Sequence, residues 1–93
     1  MKRSTTFGLL LFVLTAQAQT KLPDDVARFV KERDICEHFR GEEPYDAKRG
    51  AYIAQQSVRY CKGTDRKLAA LKLKYPKDTT VQAALQNYEA KIE

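Results

Sequence analysis

The sequence predicts an all-α fold: a small bundle of about four short helices, stapled by one disulfide and preceded by a signal peptide. Three observations carry that expectation. From position 24 onward apolar side chains return every three or four residues, and nowhere do they alternate with the period of a strand. Glycines, prolines and capping residues cut this pattern into segments. The 93-residue chain holds only two cysteines, Cys36 and Cys61, and they follow an export-type N-terminus.

That N-terminus has three parts. Lys2 and Arg3 are a basic n-region, Phe7 to Leu14 a short apolar h-region, and Ala16 and Ala18 place small residues before a cleavage site. The apolar run falls short of the roughly 20 residues that span a bilayer. No cysteine stands directly after it to take a lipid anchor. Residues 1–18 are therefore expected to be a signal peptide and residues 19–93 a single helical domain. A domain of this size buries a modest core and commonly adds a staple. In an oxidising compartment Cys36 and Cys61 are expected to pair, which stabilises by roughly 3–4 kcal/mol in the loop-entropy treatment. The net charge of +5 falls to +3 with the loss of Lys2 and Arg3. That excess is interspersed, without the basic stripe and docking motif of a nucleic-acid binder.

Pro23 suits a first helical turn, and Asp24 and Asp25 complement the positive end of the helix dipole. Val26, Phe29, Val30, Arg33 and Cys36 share one face, with Ile35 and Phe39 on a second flank. The first helix, 24–39, is thus expected to pack on two sides. Arg33 and Glu37 are spaced to pair on its solvent side. Gly41 is placed to end it in the left-handed conformation. Glu42-Glu-Pro-Tyr-Asp46 then turns into a second helix. There Ala51, Ala54, Val58 and Cys61 form a face of small residues expected to admit a close neighbour, with Ile53 and Tyr60 on another face. Gly50 lowers helix propensity, so this helix is expected to start late or bend. Gly63 stops it. Thr64 or Asp65 caps a third helix, which turns Leu68, Leu71 and Tyr75 inward and ends at Pro76. Thr79 and Gln82 read as a capping box. The fourth helix carries the cleanest period: Val81, Ala84, Leu85, Tyr88 and Ile92.

One conflict is built into this layout. Cys36 and Cys61 lie near the C-terminal ends of successive helices, which are opposite poles of a simple up-down hairpin. A disulfide needs Cα atoms about 4.4–6.8 Å apart. A steep crossing, a late start of the second helix, or a longer Gly41–Gly50 turn would each reconcile the two. A late, short second helix in a splayed packing is the expectation adopted here.

The string Arg33-Asp-Ile-Cys-Glu-His-Phe-Arg-Gly-Glu-Glu-Pro-Tyr-Asp46, with Tyr60-Cys-Lys-Gly-Thr-Asp65 and Leu68-Ala-Ala-Leu-Lys72, resembles a family of small exported bacterial proteins of unassigned function. The resemblance covers nearly all of residues 19–93 and brings no activity with it. More loosely, an exported helical chain with one disulfide and a Cys-x-x-Phe element at Cys36 and Phe39 is similar to periplasmic acid-stress chaperones of the HdeA kind. It is also similar to small periplasmic immunity proteins that neutralise toxins from rival cells.

No catalytic, cofactor or metal motif stands out. His38 lies near Cys36, Glu37 and Glu42, but the spacing fits no zinc site and a disulfide removes the thiolates. Its titration range leaves a pH-sensing role open. Glu42, Glu43 and Asp46 sit on a short turn rather than in the enclosed cleft that paired acid–base carboxylates need. Ser57 has no base at a defined spacing. Lys67, Lys72, Lys74 and Lys77 form a basic face that suits solvent as well as anionic lipid or cell-wall polymer. The strongest candidate is the cluster Arg40, Glu42, Glu43, Tyr45, Asp46 and Arg49. Tyrosine and arginine are enriched at binding hot spots, and a loop on a stapled scaffold is a common site of function. The same residues also suit an internal network that fixes the turn. The expectation is a non-catalytic, soluble, periplasmic or secreted protein-binding module, as an inhibitor, immunity or accessory factor. Its partner would be another protein of the cell envelope, with no nucleic acid, no cofactor and no transmembrane anchor after cleavage. The alternatives are an acid-stress chaperone or a small cell-envelope enzyme.

Overall fold

The computed structural model describes residues 21–93; the expected signal peptide, residues 1–18, lies outside the described residues. Four helices follow in order: α1 (Asp24–Arg40), α2 (Ala47–Cys61), α3 (Thr64–Lys74) and α4 (Thr79–Leu85). No strand occurs among the described residues. The fold is all-α with one disulfide, Cys36–Cys61.

The hydrophobic core belongs to three of the four helices. Val26 and Phe29 from α1, Leu68 and Leu71 from α3, and Val81 and Leu85 from α4 are buried together. Leu22, Val30, Tyr75 and Tyr88 pack around them. The ring of Phe29 meets Tyr88 edge to face at 5.6 Å. At about 1.5–3 kcal/mol per buried large apolar side chain, six such residues make a modest core. This is a setting in which a disulfide and polar clamps matter.

The second helix is neither late nor short. It spans 15 residues from Ala47, because the Asp46 carboxylate accepts the Arg49 N–H at 2.7 Å and caps it there. Gly50 lies within the helix and donates its N–H to Asp46 O at 3.0 Å. A Cβ on Gly50 would meet Pro44 at 3.6 Å, so the glycine lets the turn lie against the helix. Nor is α2 splayed away. Glu42 pairs with Arg49, the Phe39 ring meets Tyr52 and Tyr60, and Cys36 bonds Cys61. Contacts that step backward along α1 as they step forward along α2 describe an antiparallel course.

α2 begins directly after residues 41–46, neither late nor after a turn that reaches Gly50, and the disulfide forms all the same. The cysteine Cα atoms stand 4.9 Å apart.

The orientation of α2 differs from expectation. Ile53, Gln56, Ser57 and Tyr60 are half-buried against the body, whereas Ala51, Ala54 and Val58 are exposed. No residue of α2 is fully buried. Of the small-residue face only Cys61 meets a neighbour, through its bond to Cys36. The inward face instead follows Ile53 and Tyr60, and Tyr60 stacks on Phe39.

Helix ends differ too. Gly41 has φ −91°, so α1 ends right-handed. The left-handed glycine among the described residues is Gly63, φ 82°, at the start of α3. Thr64 is buried and donates its hydroxyl to Cys61 O at 2.7 Å, tying the α2–α3 corner together. Asp78, not Thr79, caps α4, accepting the Val81 N–H at 3.0 Å. Gln82 turns away from that cap and donates to the carbonyls of Lys72 and Tyr75 at the end of α3, at 3.1 and 2.7 Å. Finally, α4 stops at Leu85, well before Ile92. Tyr88 and Ile92 belong to a tail that runs to the start of α3.

Candidate interaction site

The turn between α1 and α2 gathers most of the predicted cluster, and internal contacts divide it. Arg49 grips Glu42 with two donors, Nε to Oε2 at 2.5 Å and Nη2 to Oε1 at 2.8 Å. This two-point hydrogen bond holds the Glu42 carboxyl below its ordinary range, and the same bond raises Arg49. His38 Nε2 lies 3.6 Å from the Glu42 carboxylate, with its own side chain largely exposed. Asp46 serves as the α2 cap. Arg40 points the other way, to Glu37 at 2.7 Å and Glu89 at 3.8 Å. Arg40, Glu42, Asp46 and Arg49 thus already have structural work.

Glu43 and Tyr45 do not. Neither makes a side-chain hydrogen bond or ion pair among the described residues, and Tyr45 is 80% exposed. Tyr45 borders a shallow depression of about 350 Å³ lined also by Asp46, Lys48, Arg49 and Tyr52. The Arg49 guanidinium lies 5.0 Å from the centre of the Tyr52 ring, a cation–π contact that holds this aromatic upright. Behind it, Tyr52 rests edge-on against Phe39 at 5.9 Å. Nearby, Phe39 stacks on Tyr60 at 6.5 Å and meets His38 at 5.0 Å. The depression therefore rests on a fixed aromatic base rather than on a loose loop.

The basic face of α3 is partly spoken for. Lys74 pairs with Asp25 at 2.7 Å and Lys67 with Glu32 at 3.1 Å. Asp25 also accepts the Tyr75 hydroxyl at 2.9 Å. These ties border a second, more apolar cleft of about 200 Å³ between α1 and α3, floored by Phe29, Ala70 and Leu71. No group of three or more metal-ligating side chains occurs among the described residues.

One residue that matters was misplaced by sequence reasoning. Arg33 does pair with Glu37, at 3.0 Å, but not on the solvent side: its side chain is fully buried. Nη2 donates to Glu89 O at 2.7 Å, and the guanidinium lies 5.7 Å from the Tyr88 ring centre. Nη1 stands 3.8 Å from Asp65 Oδ1 and has no hydrogen-bond partner. The one signal in the sequence was position, because Arg33 falls on the Val26–Phe29–Cys36 face. Its distant partners, Asp65 and Glu89, 32 and 56 residues away in the chain, leave no local mark.

Around Arg33 the tail is fastened reciprocally. Asp65 accepts the N–H groups of Ile92 and Glu93 at 3.0 Å. Glu93 accepts those of Gly63 and Asp65 at 2.9 and 3.0 Å. Bonding to the Glu93 amide, then to that of Ile92, holds the Asp65 carboxyl below its ordinary range; the amides of Gly63 and Asp65 do the same for Glu93. Tyr88, pushed upward by burial and by its hydrogen bond to Asp34, anchors the tail on the other side at 2.7 Å.

Among the described residues no helix is long and apolar enough to cross a membrane. No family model, curated protein or solved structure matches the chain.

Proposed function

We propose that this is a non-catalytic protein-binding module of the periplasm or the secreted fraction, which engages another envelope protein as an inhibitor, immunity or accessory factor. The observation that carries this reading is the state of the α1–α2 turn. Glu42, Asp46 and Arg49 are already engaged internally, yet Tyr45 and Tyr52 are offered outward, 80% and 44% exposed. Internal fixing lowers the ordering cost of binding, and tyrosines on a rigid base are efficient anchors. The disulfide fits an oxidising compartment. The test is recovery of partners from the periplasmic or secreted fraction by the oxidised protein, compared with a Tyr45→Ala, Tyr52→Ala double variant. A partner retained by the parent and lost by the variant is expected. Equal recovery by both sinks the assignment of this surface.

A second reading, an acid-stress chaperone, is favoured by one observation: the tail is fastened by the carboxylates of Asp65 and Glu93, which protonation would disable. Binding of a hydrophobic dye from neutral pH down to about pH 2 tests it. A chain that stays folded and dark throughout removes this reading.

A further inference from the structure

The apolar cleft between α1 and α3 has defined ends. Lys74 pairs with Asp25 at 2.7 Å and Lys67 with Glu32 at 3.1 Å, so two ion pairs cross from one helix to the other. Asp25 and Glu32 stand two turns apart on α1, and Lys67 and Lys74 two turns apart on α3. The pairs thus bound a window about 10 Å long at 1.5 Å per residue. Within it α1 supplies Arg28 and Phe29, and α3 supplies Ala70 and Leu71. Phe29 and Leu71 make the floor and continue into the core. Ala70 is exposed, and its methyl group is too short to fill the space above them. A hollow of about 200 Å³ is left.

The charges around this hollow decide what suits it. Asp25, Glu32, Lys67 and Lys74 neutralise one another across the window. Arg28 also lines it and is exposed, yet pairs with no carboxylate among the described residues. The window therefore sets one unneutralised positive charge beside an apolar floor. Its walls are the interiors of two helices, whose N–H and C=O groups are spent within the helices. An extended peptide would find no main-chain partner there. The volume also falls below the roughly 300–1,000 Å³ of pockets for drug-sized ligands. Together these properties select a small molecule with a short apolar body and a single negative charge.

We propose that Arg28, Phe29, Ala70 and Leu71 form a binding site for a small aliphatic carboxylate, of the class of short- and medium-chain fatty acids. The chain lies along the window over Phe29 and Leu71, and the carboxylate meets Arg28. The apolar part supplies affinity through burial, and the guanidinium selects the acid over an uncharged chain of the same length. The site shares no residue with the Tyr45 depression and does not depend on the reading above.

The experiment titrates octanoate, and separately octanol, into the oxidised protein labelled at its methyl groups. The Leu71 methyl resonances report occupancy, and octanoate should move them saturably. Arg28→Gln should weaken octanoate about fivefold, the worth of one partly exposed charge pair. Octanol should bind the parent no more tightly than octanoate binds that variant. Ala70→Leu fills the hollow and should abolish binding of both. Arg28 and Ala70 are exposed helical positions, so both variants should keep the parent's amide spectrum. No saturable shift in the parent, or shifts that survive Ala70→Leu, overturn the site. Equal affinities for octanoate and octanol overturn the carboxylate class. A peptide Ala-Ala-Leu with a free C-terminus that binds more tightly than octanoate overturns the small acid in favour of a peptide end.

Discussion

Arg33 shows how far one side chain can hold a small fold together. It touches α1 through Glu37, the tail through Glu89 O, and approaches α3 at Asp65. Its hydrocarbon stem fills space between core residues while its head works as a polar junction. Truncation therefore removes both packing and contacts. Arg33→Ala should lower stability by about 3 kcal/mol, as for a large-to-small core change that also strips partners from polar groups. Arg33→Met separates the two effects. It keeps most of the volume, and the carboxylates of Glu37 and Asp65 remain partly solvated, so the loss should fall below about 1.5 kcal/mol. Urea midpoints of the two oxidised variants provide the check. Equal losses would mean that the guanidinium contacts, not the packing, dominate.

At the scale of elements, α2 is an arm rather than a layer of the core. It adds no fully buried residue, and it is held by the disulfide, the Glu42–Arg49 pair and the Phe39 aromatic contacts. Reduction should lower global stability by roughly 3–4 kcal/mol. It should also raise amide exchange in α2 more than in α1 or α3, because few buried contacts replace the bond. Mass-resolved hydrogen exchange of oxidised and reduced protein tests this, and uniform acceleration across all helices argues against an arm. The same weakness explains what was legible in the sequence. For α1 and α3, apolar periodicity is enforced by burial, so Val26, Phe29, Leu68 and Leu71 read correctly. For α2 no core enforces the period, and the stripe of Ala51, Ala54 and Val58 pointed to the wrong face. The end of α4 was hidden for another reason. Tyr88 and Ile92 keep helical spacing, but the groups that capture the tail, Arg33 and Asp65, lie far away in the chain. The RGEEPYD turn reads from the sequence as a polar turn that either fixes itself internally or presents a surface. Which of its residues are engaged and which are free depends on the Arg49–Glu42 grip, which spacing alone does not specify.

At the scale of the whole molecule, carboxylates fasten separate parts of the fold, and each leaves a signature in acid. Asp25 is lowered chiefly by its hydrogen bond to Lys74, Glu42 by Arg49, Asp65 by the amides of Glu93 and Ile92, and Glu93 by those of Gly63 and Asp65. Their ordinary values are 3.8 for the aspartates and 4.5 for the glutamates. In each case the folded state holds the proton less tightly than the unfolded chain. The stabilisation is therefore complete above the ordinary value and is lost as pH falls through the lower folded one. Lys74, Tyr75 and Tyr88 are shifted upward from 10.5, 10.0 and 10.0 and act only on the alkaline side. The urea midpoint should thus stay level from neutral pH to about pH 5.5 and decline below it, with the steepest loss under the ordinary carboxylate range. Salt separates the contributions in part, because the exposed Asp25–Lys74 pair is screened while the half-buried Glu42–Arg49 pair is less so. Asp65→Asn should flatten the acid limb at high salt, where the tail contacts and the Glu42–Arg49 pair remain its sources. An unchanged acid slope in that variant would show that the tail is not the acid-sensitive fastening. Dye binding that rises along the same limb in the parent, and at higher pH in Asp65→Asn, would tie exposure of the apolar core directly to release of the tail.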